Sequence, residues 1–139
     1  MLFKLAIAII ASTVGVSALG INCEGSAYCS GVLGNPGAND EPLPDMVDII
    51  DYGIDDNRWY PAGEHIACDQ PSGVCAFVQK TSGAMGTDIA RVVRDLANHG
   101  CTVCGSVPLG FPGTNDVNNG EVTFNFVGLD DMGSCSGLC

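Results

Sequence analysis

From Thr87 to Gly100 the apolar residues Ile89, Val92, Val93 and Leu96 recur at i, i+3, i+4 and i+7, while Asp88, Arg91, Asp95 and Asn98 share the opposite side. A repeat near 3.6 residues gathers apolar side chains into one stripe, so the pattern predicts an amphipathic helix with one buried face. Thr87 is placed to cap its start and Gly100 to end it, and Arg91 with Asp95 makes an i, i+4 ion pair. In "PDMVDIIDYG" (44–53), Met46, Ile49, Ile50 and Gly53 fall on one helical face, with Pro44 suited to a first turn and Asp45 near the positive helix end. A short helix is predicted there, although the β-branched run fits a strand as well. "VCAFVQ" (74–79) and "EVTFNFV" (121–127) predict strands, the second because Val122, Phe124 and Phe126 alternate with Thr123 and Asn125. Cys29 to Pro44 is rich in Gly, Asn, Pro and acid and reads as loop. There is no internal repeat. Two helices and several strands that do not strictly alternate point to the α+β class.

One apolar stretch has a different meaning. "MLFKLAIAIIASTVGVSA" (1–18) carries a lysine, an apolar run from Leu5 to Ile10 and small residues up to Ala18. This is the pattern of a secretory signal peptide cleaved after Ala18, and it is short for a span of about 20 residues. The mature chain is then expected to start at Leu19 and to form a single domain over 19–139, about 121 residues, without N-linked sugar because no Asn-x-Ser/Thr sequon occurs. Loss of Lys4 leaves Arg58, Lys80, Arg91 and Arg94 against 16 acids, a formal charge of about −12. Such a charge disfavours nucleic acid and anionic membrane surfaces as partners. A secreted, extracellular protein that is not membrane-inserted is expected, monomeric and without a cofactor.

The eight cysteines, at 23, 29, 68, 75, 101, 104, 135 and 139, all follow the signal segment. An even count in a small secreted chain reads as a disulfide framework, and four bridges admit 105 connectivities. "NHGCTVCGS" (98–106) offers a CxxC, but redox pairs of that kind start a helix, where the dipole lowers the thiol pKa, and this one follows a helix end. No second CxxC or HxxxH completes a zinc site, and His65 and His99 stand apart in the chain. His99 suits the negative end of the preceding helix. "GSCSG" (133–137) imitates a nucleophile elbow at Cys135, yet no chain remains for the helix that must follow. The acids Asp40, Glu41, Asp45, Asp48, Asp51, Asp55 and Asp56 are dense but lack the D-x-D-x-D-G register of a calcium loop, so they read as a solvated face. No carboxylate pair is singled out for glycoside hydrolysis. Neither a catalytic set nor a metal set is expected.

"LGINCEGS" (19–26) followed by Cys29, then "AFVQKT" (76–81), "NHGCTVCGSVPL" (98–109), "NDV" (115–117) and "GEVTFNFV" (120–127), closely resemble the killer protein four family, the virus-encoded toxins of a corn-smut fungus and their fungal relatives. The resemblance covers most of the mature chain, is weak from Ser30 to Asn57, and is absent from Gly128 onward except at Cys135. It implies an α/β sandwich, an antiparallel sheet with two antiparallel helices on one face, in a disulfide-rich, non-enzymatic protein. It further implies action on a protein of another cell, an ion channel for calcium, through basic surface residues. This chain departs there: before Cys68, where the toxin has clustered Arg and Lys, it reads "GEHIA" (63–67). The resemblance also implies the bridges Cys23 with Cys101, Cys29 with Cys104 and Cys68 with Cys135. Cys75 and Cys139, which match nothing in the toxin, are then expected to pair with each other. Two function classes carry forward: a toxin-like binder that inhibits ion uptake in competing fungi, and an extracellular effector acting on a host plant through a different partner. For a third, a small hydrolase, the sequence supplies no catalytic set.

Overall fold

The computed structural model describes residues 19–30 and 41–139, and the predicted leader and most of the loop expected between Cys29 and Pro44 lie outside them. The first helix, α1, runs Pro42–Gly53. Two prolines in its first turn remove N–H groups that have no intrahelical acceptor anyway. Its buried stripe is Leu43, Met46, Val47 and Ile50, so the inward face is rotated from the predicted one and Ile49 points outward. The reason is the start at Pro42, two residues early, which brings Leu43 into an i, i+3, i+4, i+7 set that the shorter reading left out.

The second helix, α2, spans Gly86–Asn98 and buries Ile89, Val92, Val93 and Leu96 completely. Thr87 lies inside its first turn instead of capping it. The free amides there are met by the loop that follows α1: Gly86 N–H donates to Arg58 O at 2.9 Å and Thr87 N–H to Asp56 O at 3.2 Å. That docking requires a glycine, because a Cβ on Gly86 would lie 2.0 Å from Asp55 O. Gly100, at φ +95°, turns the chain out of the helix as expected. Arg91 pairs with Asp88 at 3.7 Å, not Asp95, because its guanidinium is drawn to the carbonyls of Leu109 and Phe111, each 2.7 Å away.

Seven strands lie among the described residues: β1 Trp59–Pro61, β2 His65–Asp69, β3 Val74–Gln79, β4 Gly83–Met85, β5 Gly105–Pro108, β6 Glu121–Phe126 and β7 Gly137–Leu138. β1 and β4 form a two-stranded ribbon, and the rest form an antiparallel sheet in the order β5-β6-β3-β2-β7. On β3 and β6 the register sets Val74 against Phe126, Ala76 against Phe124 and Val78 against Val122, which makes one apolar face. Both helices cover that face, and Phe124, Val107 and Ile66 join their stripes in the main core. The helices run antiparallel: Leu43 N–H, at the start of α1, donates to Thr102 O beyond the end of α2, and the loop after α1 meets the start of α2. The architecture is therefore an α+β sandwich with four disulfides.

The opposite sheet face is polar yet buried. Glu121, Thr123 and Ser106 are 2%, 3% and 7% exposed, although Thr123 is on the polar side of the alternation in "EVTFNFV". The segment after Leu19 covers them: Asn22 bridges to Ser106 through two backbone hydrogen bonds, and Ser26 N–H donates to Asn125 Oδ1 at 2.9 Å. Gln79 Nε2 donates to Glu121 Oε1 at 2.6 Å and Thr123 Oγ1 at 2.9 Å, and Lys80 Nζ lies 3.2 Å from Glu121, so the buried carboxylate is compensated.

Candidate interaction surface

The cysteines hold the frame of any surface this chain presents. Cys23 is bonded to Cys101 and Cys29 to Cys104, across separations of 78 and 75 residues, so "NHGCTVCGS" anchors the N-terminal segment to the end of α2. The other two bridges differ from expectation. Cys68 joins Cys75, not Cys135, and Cys139 joins Cys135, not Cys75. The β2–β3 register explains the first, because Cys68 and Cys75 face each other directly as ladder partners with Cα atoms 4.1 Å apart. The tail then closes on itself over four residues. Cys135 is thus neither a nucleophile nor a link from tail to sheet.

His65, which stands alone in the sequence, is brought beside Cys68 and Cys75, and Cys68 lies beside Cys135 and Cys139, each group with its ligand atoms within 4.8 Å. All these sulfurs are in disulfides, which removes the thiolate charge that zinc requires. His99 caps the end of α2, its backbone N–H directed to Asp95 O and Ala97 O.

The acidic segment forms a coherent outer face. Asp45, Asp48, Ile49 and Tyr52 point outward along α1, and Asp55 and Asp56 follow in the turn to β1. Tyr52 is 87% exposed, the most exposed large hydrophobic residue among those described. Asp51, on the flank, accepts from Arg94 Nε of α2 at 2.5 Å, and this bond raises the Arg94 pKa. All four cations among the described residues are engaged in the same way. Arg58 pairs with Glu64 and lies 4.4 Å over the Tyr60 ring, Lys80 meets Glu121, Arg91 meets Asp88 and Arg94 meets Asp51. With each of these four cations paired to a neighbour, the excess acids determine the sign of the field around the described residues.

"GEHIA" confirms this from the other side. Glu64 is taken by Arg58, His65 is half-buried beside Phe77 with ring centroids 6.4 Å apart, and Ile66 and Ala67 are fully buried. A β-bulge between His65 and Ala67 lets consecutive residues of β2 both turn inward. The segment therefore contributes core at the place where the family resemblance puts clustered Arg and Lys. Sequence reasoning missed this because a five-residue strand with a bulge shows no period of two.

No helix among the described residues is long and apolar enough to cross a membrane. The Kp4 family model matches residues 5–128. A curated relative, the KP4 killer toxin of Ustilago maydis P4 virus, is 42% identical over 117 residues, which cover 81% of this chain and 83% of the toxin. Residues 129–139, with Cys135, Cys139 and β7, lie beyond the family match. The paired cysteines that staple the N-terminal segment to α2, the two-helix sandwich and the match over most of its length make this chain a member of the Kp4 killer-toxin family.

Proposed function

We propose that the chain is a secreted killer-toxin-like protein, cleaved after Ala18, that acts by binding a protein on the surface of another cell and interfering with ion uptake, calcium in particular, in competing fungi. The observation that carries this reading is its 42% identity to a killer toxin over 81% of the chain. The activity is stoichiometric binding, not turnover. The acidic outer face of α1 around Tyr52 is the contact surface, suited to a basic patch on the target because opposite fields steer encounter.

One observation favours a second reading, an extracellular effector that uses this scaffold on a different partner in a host plant. All four cations of the described mature chain are consumed in ion pairs, so no basic surface is free to act as the family resemblance implies. Growth assays separate the two. Purified mature protein is applied to fungal cultures and to plant roots, with and without added calcium. Calcium-relieved arrest of fungi supports the first reading, and a root response alone supports the second. Inertness towards both overturns the proposal.

A further inference from the structure

The tail beyond the family match returns to the body at two places. Met132, 3% exposed, packs on the Cys68–Cys75 bridge on the sheet face away from the helices. Gly137 and Leu138 then pair with Cys68 and Ala67, and Cys139 N–H donates to Ile66 O at 2.8 Å. Leu138 reaches the last turn of α1, its Cδ2 lying 3.3 Å from where a Cβ on Gly53 would sit.

Three features make this strand unlike the others. It is two residues long. No disulfide ties it to the body, since Cys135 and Cys139 bond only to each other, so lifting it breaks no covalent bond. And it is the edge strand of the sheet beside β2, whose outer backbone groups would be open to another strand without it. We propose that the outer edge of β2 is a strand-addition site for an extended segment of the target protein, which the C-terminal tail occupies in the free molecule as a displaceable strap. This deepens the reading of the chain as a surface-protein binder and rests on it.

The tail itself shows what the edge accepts. A small residue lies opposite Cys68 and a branched apolar one opposite Ala67, its side chain directed to the Gly53 turn. Main-chain hydrogen bonds give such a site its affinity, and the alternate side chain gives its selectivity. Asp51, Tyr52, Asp55 and Asp56 surround the same end of α1, so the matching segment carries basic residues beside its apolar one.

The test uses the full mature chain, its Leu138→Asp variant and an oxidised peptide of residues 133–139. Leu138 is 38% exposed, so the substitution loosens the strap without entering the core. Amide hydrogen exchange across Ile66–Asp69 is expected to speed up by roughly tenfold or more in the variant, while β3 and β6 keep their protection, and added peptide restores it. In the unaltered chain the peptide has no effect, because the edge is filled. Unchanged exchange in the variant, or no rescue by peptide, overturns the strand site. The variant should also bind target cells about tenfold more tightly than the unaltered chain, since less of it is held closed, and the peptide should compete. Cell binding that the peptide leaves intact overturns the strand site alone, whereas absence of cell binding by either chain overturns the functional reading and leaves the exchange result to decide the edge.

Discussion

The two bridges between the N-terminal segment and the end of α2 should be strongly non-additive. Cys23–Cys101 alone closes a loop with a separation of 78 residues, and in the chain-entropy model a loop of that size is worth about 4.5 kcal/mol. Once it exists, Cys29–Cys104 closes only the ring made by residues 23–29 and 101–104, on the order of 10 residues and worth about 2.7 kcal/mol. The two bridges share this ring symmetrically, so removing either costs about 2.7 kcal/mol, whereas removing both costs about 7 kcal/mol. The coupling of about 1.8 kcal/mol is large enough to measure in a double-mutant cycle. Cys101 and Cys104 are buried, so alanine replaces them and serine replaces Cys23 and Cys29, which avoids burying an unpaired hydroxyl. Urea unfolding of Cys23→Ser/Cys101→Ala, Cys29→Ser/Cys104→Ala and the fourfold variant is the assay. With a total stability of about 5–15 kcal/mol, the fourfold variant should lose most or all of its cooperative transition. Single-bridge losses near 4.5 kcal/mol that sum to the fourfold loss would refute the shared-loop reasoning.

Other expectations concern single residues. Gly86→Ala should lower stability by about 1–3 kcal/mol in chemical denaturation, because its Cβ meets Asp55 O at 2.0 Å where two backbones must separate. Phe124→Ala, at a fully buried position in the main core, should cost about 3–5 kcal/mol by the same measurement. Arg94, whose pKa is raised by the hydrogen bond to Asp51, keeps its stabilising charge below the ordinary guanidinium value and loses it only as pH rises above that. Arg94→Met should therefore leave the slope of stability against pH unchanged between about pH 6 and 9, and an altered slope would show another titrating partner.

Both helices and two central strands were legible because each is long enough to display its period. α2 shows the complete i, i+3, i+4, i+7 set, and β6 alternates over six residues. The shorter strands carry no such signal: β1 and β4 have three residues, β7 has two, β2 is bulged, and β5 is buried along its whole length. The burial of Thr123 is not visible in the alternation of β6, because the covering segment after Leu19 is brought there by distant bridges, which no local pattern reports. The pairing of Cys68 was decided by register, with Cys75 set directly opposite it by the β2–β3 turn. The acidic face was visible as composition. What composition does not show is that Asp51, Asp88, Glu64 and Glu121 pair with the four cations among the described residues.

Binding of labelled mature protein to intact target cells, before and after their surface proteins are removed by protease, tests the central claim most directly. The account predicts saturable binding that protease treatment abolishes, that weakens as salt screens the acidic face beyond about 8 Å, and that Tyr52→Ala reduces while leaving stability within about 0.5 kcal/mol. Binding that never saturates, that survives protease treatment, or that accompanies continued turnover of a cell-surface substrate would contradict it.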